Sequence, residues 1–180
     1  MSIIKYKWFW AWNFDKEEKW LNEMSGKGLQ LTDVKVIRYK FDEGKANEYT
    51  YRIEMLDEVP SNKKSRDYIR FLEETGVEMI GCYIRWVYLR KKKSDGDFDL
   101  FSDLDSRINH LTRILYFLAV FIPLILINTV NLWNIYGSDN EGYSLVFSLL
   151  NSLVAVLLII GVTRIYNLRK KMKEERCLHE

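Results

Sequence analysis

Lys5–Gly28, KYKWFWAWNFDKEEKWLNEMSGKG, decides the fold class. Its first nine residues, Lys5–Asn13, are rich in aromatic side chains, which favour the pleated surface of a strand. On an extended chain Tyr6, Trp8, Trp10 and Trp12 share one side, and Lys5, Lys7, Phe9 and Ala11 share the other. A helix then opens at Asp15. Asp15 and Glu18 have capping-box spacing, Trp20, Leu21 and Met24 form an apolar face, and Gly26 and Gly28 end it.

The same alternation continues outward from this stretch. Leu29–Phe41 and Glu48–Met55 read as two strands around DEGKAN, with Glu43-Gly44 as the hairpin turn. Pro60 and Ser61 open a second helix whose apolar face is Tyr68, Ile69, Phe71 and Leu72, and Gly76 stops it. Met79–Arg90, MIGCYIRWVYLR, reads as a last strand before Lys91-Lys92-Lys93. The order β-α-β-β-α-β predicts an α+β, ferredoxin-like cytoplasmic domain over residues 1–93, a four-stranded antiparallel sheet with both helices on one face.

The rest of the chain changes character. Ile114–Ser138 is a charge-free run of 25 residues and Gly142–Thr163 one of 22. About 20 helical residues cross a bilayer core of roughly 30 Å. A two-helix transmembrane hairpin therefore follows the domain, with spans at 111–137 and 143–166, an extracytoplasmic loop at 138–142 and a basic tail at 167–180. The loop holds Asp139 and Glu141 and no Lys or Arg, whereas Arg107 and Arg113 precede the first span and Arg164, Arg169, Lys170, Lys171, Lys173 and Arg176 follow the second. Basic residues stay inside, so both termini are expected in the cytoplasm and the chain in the cell membrane. Ser144, Ser148, Ser152 and Ala155 form a small-residue stripe on the second span, suited to close helix approach. Asn128 and Asn151 need partners across the hairpin or in a second copy, because lipid offers none. Neither is ionisable, which gives little motive for an ion pathway. Pro123 predicts a mild kink in the first span.

Composition excludes several classes. Among 180 residues there are two cysteines, Cys82 and Cys177, and two histidines, His110 and His179, too few for a disulfide framework or a His/Cys metal cluster. Ser94–Asp105, with five aspartates, begins like a calcium loop, but Leu100 stands where Gly is required and Ser106 where Glu is required. It reads as an acidic linker, 94–110, ending in an amphipathic helix with Leu104, Ile108, Leu111 and Leu115 on one stripe and His110 as a group that could titrate near neutrality. The strand EYTYRIEM lacks the motif of RNA-recognition sheets, and the net charge is only +2, so nucleic acid is not an expected partner. No Ser/His/Asp set, paired cysteine or phosphate-binding glycine loop appears, so neither catalysis nor a cofactor is expected.

The candidate ligand or partner surface is the aromatic face of the sheet: Trp8, Trp10 and Trp12, with Arg52, Arg85 and Trp86. Those tryptophans read first as core beneath the helices, and the binding face is the sharper alternative. In the membrane half the candidate packing residues are Asn128, Ser144, Ser148, Asn151, Ser152 and Ala155.

Three motifs in order, KWFWAWNFDKEEKWLNEMSGKGLQL (7–31), YIRFLEETGVEMIGCYIRWVYLRKK (68–92) and DGDFDLFSDLDSRI (95–108), resemble the bacterial domain of unknown function 2812 family. The resemblance covers residues 5–114, and the hairpin beyond it is similar to that family's usual layout. Leu29 stands where many relatives have Trp. The resemblance implies no catalytic residues. It implies a Gram-positive source and a neighbourhood of PadR-type regulators, hence a role in a regulated stress or envelope response. The expectation is a membrane-anchored binding or regulatory module, whose partners are the lipid bilayer, a protein or a second copy, or an amphiphilic small ligand. The alternative is an accessory subunit of a membrane complex such as an exporter. An enzyme at the membrane surface comes last.

Overall fold

The computed structural model describes residues 2–100, 104–139 and 142–179, with side chains at all of these except 136–139, 142–144, 178 and 179. The chain forms two compact units, Met1–Ser106 and Arg107–Glu180. The first unit, the head, runs β1 (Ser2–Tyr6), α1 (Phe14–Gly26), β2 (Leu29–Val34), β3 (Arg38–Glu43), β4 (Tyr49–Met55), α2 (Lys63–Glu74), β5 (Val77–Tyr83) and β6 (Trp86–Lys92). The strands form two antiparallel three-stranded sheets, ordered β1-β3-β2 and β4-β6-β5. Each is a strand, a helix and a hairpin whose last strand lies in the middle. The head is thus one βαββ pattern used twice.

The α+β class stands, but the single four-stranded ferredoxin-like sheet is replaced by these two. Two β-rich runs each conceal a hairpin. Within Leu29–Phe41 the chain turns at Val36-Ile37, closed by Lys35 N to Arg38 O at 2.8 Å and Arg38 N to Lys35 O at 3.1 Å. Within Met79–Arg90 it turns at Ile84-Arg85, between the paired residues Tyr83 and Trp86. Ile84 has φ 57°, a conformation that a β-branched residue rarely adopts. The expected turn at Glu43-Gly44 joins the two sheets and pairs no strands across it.

The first strand is also shorter than expected. β1 ends at Tyr6 opposite Arg38, where β3 begins. Lys7 N still reaches Ile37 O at 2.9 Å, and beyond it the chain leaves the sheet into a 3-10 turn at Ala11–Asn13. That turn breaks the alternation of the tryptophans. α1 follows from Phe14 with Asn13 at its cap position and no side-chain cap bond. The expected capping box does not form: Glu18 turns instead to Ile53 N at 3.1 Å and to Arg52 at 3.3 Å. α2 is capped by Asn62, whose side chain accepts from Lys64 N at 2.9 Å, two residues beyond the expected Pro60 start. Phe71, expected on its apolar face, is exposed.

Two layers of core hold the head together. Trp20, Leu21 and Met24 of α1 are buried, and the Trp20 ring meets Tyr39 and Phe41 of β3 at 4.9 and 5.7 Å. The second cluster joins Leu56, Ile69, Val77, Val87, Leu89 and Phe98. Phe98 lies in the acidic linker, so that segment is not merely solvated. Burying a side chain of that size stabilises by about 1.5–3 kcal/mol, enough to fix the linker's first residues on the head.

The second unit contains α3 (Leu104–Ala119), α4 (Phe121–Asp139) and α5 (Gly142–His179). Helix breaks at Val120 because Pro123, in the first turn of α4, has no N–H to offer Ala119 and crowds its carbonyl. Ile108, Leu111, Ile114 and Leu118 are the buried stripe of α3, shifted by about a turn from the expected one; Leu104 and Leu115 are only partly buried. Two stretches, Leu104–Ile135 and Leu145–Cys177, are long enough to cross a membrane, and each holds an 18-residue window of high mean hydropathy, 2.1 and 2.7. α5 continues past its apolar part into the basic tail, braced by Lys170–Glu174 and Lys171–Glu175 pairs one turn apart.

Candidate binding surface

Four connections of the head emerge at one end. Arg90 Nη1 donates to Leu31 O at 3.3 Å while pairing with Glu78, and Val34 lies against Gly81. β2 and β5 therefore run side by side in the same direction, and the Val36-Ile37 and Ile84-Arg85 turns share an end. β1 finishes there too, opposite Arg38, as does β4, opposite Trp86. The β1–α1 and β4–α2 connections consequently join them. Trp8, Trp10, Val36, Ile37, Val59 and Ile84, all from these connections, are exposed. Trp8 is 56% exposed, a large apolar ring left in water. Scattered apolar side chains on a surface are ordinary; several converging on one rim mark a surface for interaction. β6 ends at the other end, where Lys92 pairs with Tyr49.

Of the sequence candidates, Trp8 and Trp10 belong to this rim. Their rings meet edge to face at 5.3 Å. Trp12 is buried and stacks on Trp10, with centroids 4.9 Å apart and planes 5° apart, so it supports the rim from below. Trp86 is buried against Phe14 at 6.0 Å. Arg52 pairs with Glu18, and Arg85 Nε donates to Leu56 O at 2.8 Å. The contacts of these last three are within the fold, although Arg85 belongs to one of the rim turns.

A second constellation escaped the sequence reading. Glu17, on α1, is 8% exposed. Its Oε1 accepts hydroxyl bonds from Tyr39 on β3 and Tyr88 on β6, both at 2.7 Å. Burial holds the Glu17 carboxyl above its ordinary value of 4.5, and the two phenol bonds act in the opposite sense. The phenols are themselves pushed well up, by burial first and then by the Glu17 charge. Around the site Phe9, Trp20 and Tyr39 form a ring cluster, and the Lys7 ammonium stands 4.9 Å from the Phe9 centroid and 4.8 Å from that of Trp20. The signal was available: Glu17 falls three and four residues before Trp20 and Leu21, on the apolar stripe of α1. Among the described residues, no three His, Cys, Asp or Glu side chains gather as a metal site.

The family described as Protein of unknown function (DUF2812) matches residues 13–122. The chain belongs to that family. No curated protein and no solved structure matches the chain. The stretch shared with the DUF2812 family takes in Glu17, Tyr39 and Tyr88, and it begins after Trp8 and Trp10.

Beyond the matched stretch, the DUF2812 chain brings together the polar residues of its two long apolar helices. Asn128 Nδ2 donates to Asn151 Oδ1 at 3.1 Å, and Asn151 Nδ2 donates to Thr129 Oγ1 at 2.6 Å. Trp133 Nε1 donates to Ser152 Oγ at 3.2 Å, while Ser152 Oγ donates to Ser148 O at 2.7 Å. α4 and α5 therefore lie antiparallel with their polar groups facing each other. Ser148 is fully buried, and Ala155 lines a small gap with Ile122, Ile125 and Leu126. The side chain of Ser144 lies outside the described residues.

Proposed function

We propose that the chain is a membrane-anchored cytoplasmic binding module, whose head engages a protein partner through the exposed rim. The observation that carries the reading is the convergence of Trp8, Trp10, Val36, Ile37, Val59 and Ile84 at one end of a head followed by two membrane-length helices. Most of the apolar windows of those helices are unburied, 11% and 22% being covered, as lipid-facing surface would be. The excess of basic residues flanking the spans supports cytoplasmic termini and a place in the cell membrane. The family resemblance puts a PadR-type regulated stress or envelope response first among the settings to test.

The alternative is an accessory subunit of a membrane complex such as an exporter; Asn128, Asn151 and Ser152 already find partners within the hairpin and do not by themselves call for a further chain.

Two measurements test the reading. The unmodified chain should sediment with membranes after high-speed centrifugation and stay there through a carbonate wash; recovery in the supernatant rejects the anchor. A photo-crosslinking residue at Trp8 or Ile84, in intact cells, should join the head to the same partner. The same residue at Lys45, in the loop at the opposite end, should not. Equal labelling from all three sites, or none, rejects the rim.

A further inference from the structure

Among the described residues, Glu17 has no cation paired with it. It is buried, and the groups that influence its charge are two neutral phenols and the apolar surroundings, with no basic side chain among them. A buried charge of this kind is costly unless paired. The hydroxyl end of Tyr39 rests on Glu17, and the ring of Tyr39 meets Trp20, which lies one turn along α1. Phe9 closes the cluster, 5.6 Å from Trp20 and 6.4 Å from Tyr39. The negative faces of aromatic rings attract cations, and here they already hold one, the Lys7 ammonium. Lys7 is exposed, and it lies just outside the sheet in the connection between β1 and α1. Its side chain can swing into water without breaking a strand.

We propose that the Phe9 and Trp20 rings that face Lys7, with Tyr39 and Glu17 buried behind them, form a site for a lipophilic organic monocation, a quaternary phosphonium or ammonium bearing aryl or alkyl groups. The ligand displaces the Lys7 ammonium from the ring faces and supplies the positive charge that Glu17 lacks. Its apolar body sets it apart from a metal ion or a simple amine, for which this site has too few polar donors. The site is distinct from the rim contact proposed above, and neither depends on the other.

The test uses the full chain in nanodiscs of zwitterionic lipid, with empty nanodiscs subtracted. Tetraphenylphosphonium is the probe, tetraphenylborate the anion of matched size, and tryptophan fluorescence with calorimetry the readout. One saturable phosphonium site is expected, at least tenfold tighter than any borate binding. Glu17→Gln should weaken it at least tenfold. Lys7→Ala, at an exposed position, should tighten it about threefold or more by removing the competing ammonium. Equal binding of borate and phosphonium overturns the proposal, as does full affinity in a folded Glu17→Gln protein. Should Glu17→Gln fail to fold, Lys7→Ala decides alone, and unchanged or weaker binding there overturns the proposal. Loss of the crosslinked partner described earlier would leave this result untouched.

Discussion

Tyr39 and Tyr88 lie on the central strands of different sheets, yet they donate their hydroxyls to the same atom, Oε1 of Glu17, each at 2.7 Å. One side chain of α1 thereby ties together both halves of the head. Such a junction is short of alternatives: a buried phenol or carboxylate that loses its partner keeps its desolvation cost.

Tyr88→Phe should therefore destabilise the full chain by about 1–3 kcal/mol, the range for a buried hydrogen bond to a chargeable group. Thermal melting in mild detergent measures it. Tyr39→Phe should cost a similar amount, and the double variant should differ from the sum, because both single changes act on one acceptor. Strict additivity would show that the two bonds are not coupled through Glu17.

The pH dependence follows from the raised Glu17 value. A carboxyl whose value is higher in the folded state than in the unfolded chain binds its proton more tightly when folded. Its contribution is present at low pH and is lost as pH rises from 4.5 through the folded-state value. Relative to Glu17→Gln, which cannot ionise, the wild-type protein should lose stability over that interval. Paired melting curves from pH 4 upward (~0.5 unit steps, chosen to resolve a single titration) check the sign. A wild-type advantage that grows with pH would contradict it.

At Gly81 the two sheets lie close against each other. A Cβ there would sit 2.8 Å from Val34 Cγ1. Gly81→Ala should cost about 1–3 kcal/mol by overpacking, and Val34→Ala in the same chain should recover part of the loss. Denaturation of the two variants side by side tests this. A harmless Gly81→Ala would mean that β2 and β5 can separate freely.

In the hairpin, Asn151 donates to Thr129 and accepts from Asn128. Asn151→Leu leaves Asn128 without that acceptor. A loss of about 0.6–2 kcal/mol is expected, the range for polar contacts between membrane helices. Melting in detergent reports it, and Ser152→Ala, which removes the Trp133 contact, provides a milder comparison.

Gly28 and Gly76 explain why the helices were legible and the strands were not. Both have positive φ, 77° and 83°, and both end a helix where the sequence says a helix ends. The concealed hairpins turn at Val36-Ile37 and Ile84-Arg85, where glycine or asparagine would ordinarily announce the turn. Each turn therefore reads as continued strand, six strands appear as four, and the single ferredoxin-like sheet follows from that miscount. The tryptophans failed for a related reason. Alternation assigns Trp8, Trp10 and Trp12 to one side only while the chain remains a strand, and β1 stops at Tyr6 for want of a partner. Asn128 and Asn151 were legible because polar side chains in an apolar run have few ways to be satisfied. Glu17 was hidden by its charged neighbours in DKEEKW, although its place on the helical stripe was a usable signal.

The twofold use of the βαββ pattern has one more consequence. α1 belongs by sequence to the first half, but Asn22 holds Tyr51 N at 2.9 Å and Ser25 Oγ donates to Tyr49 O at 2.8 Å, both on β4 of the second. The halves thus share α1, which also packs on Tyr39 and Phe41 of the first, so neither is a free-standing module. Severing the exposed loop around Lys45 would yield two fragments that are insoluble or shapeless apart and that reassemble when produced together, which makes the head a natural candidate for a split reporter.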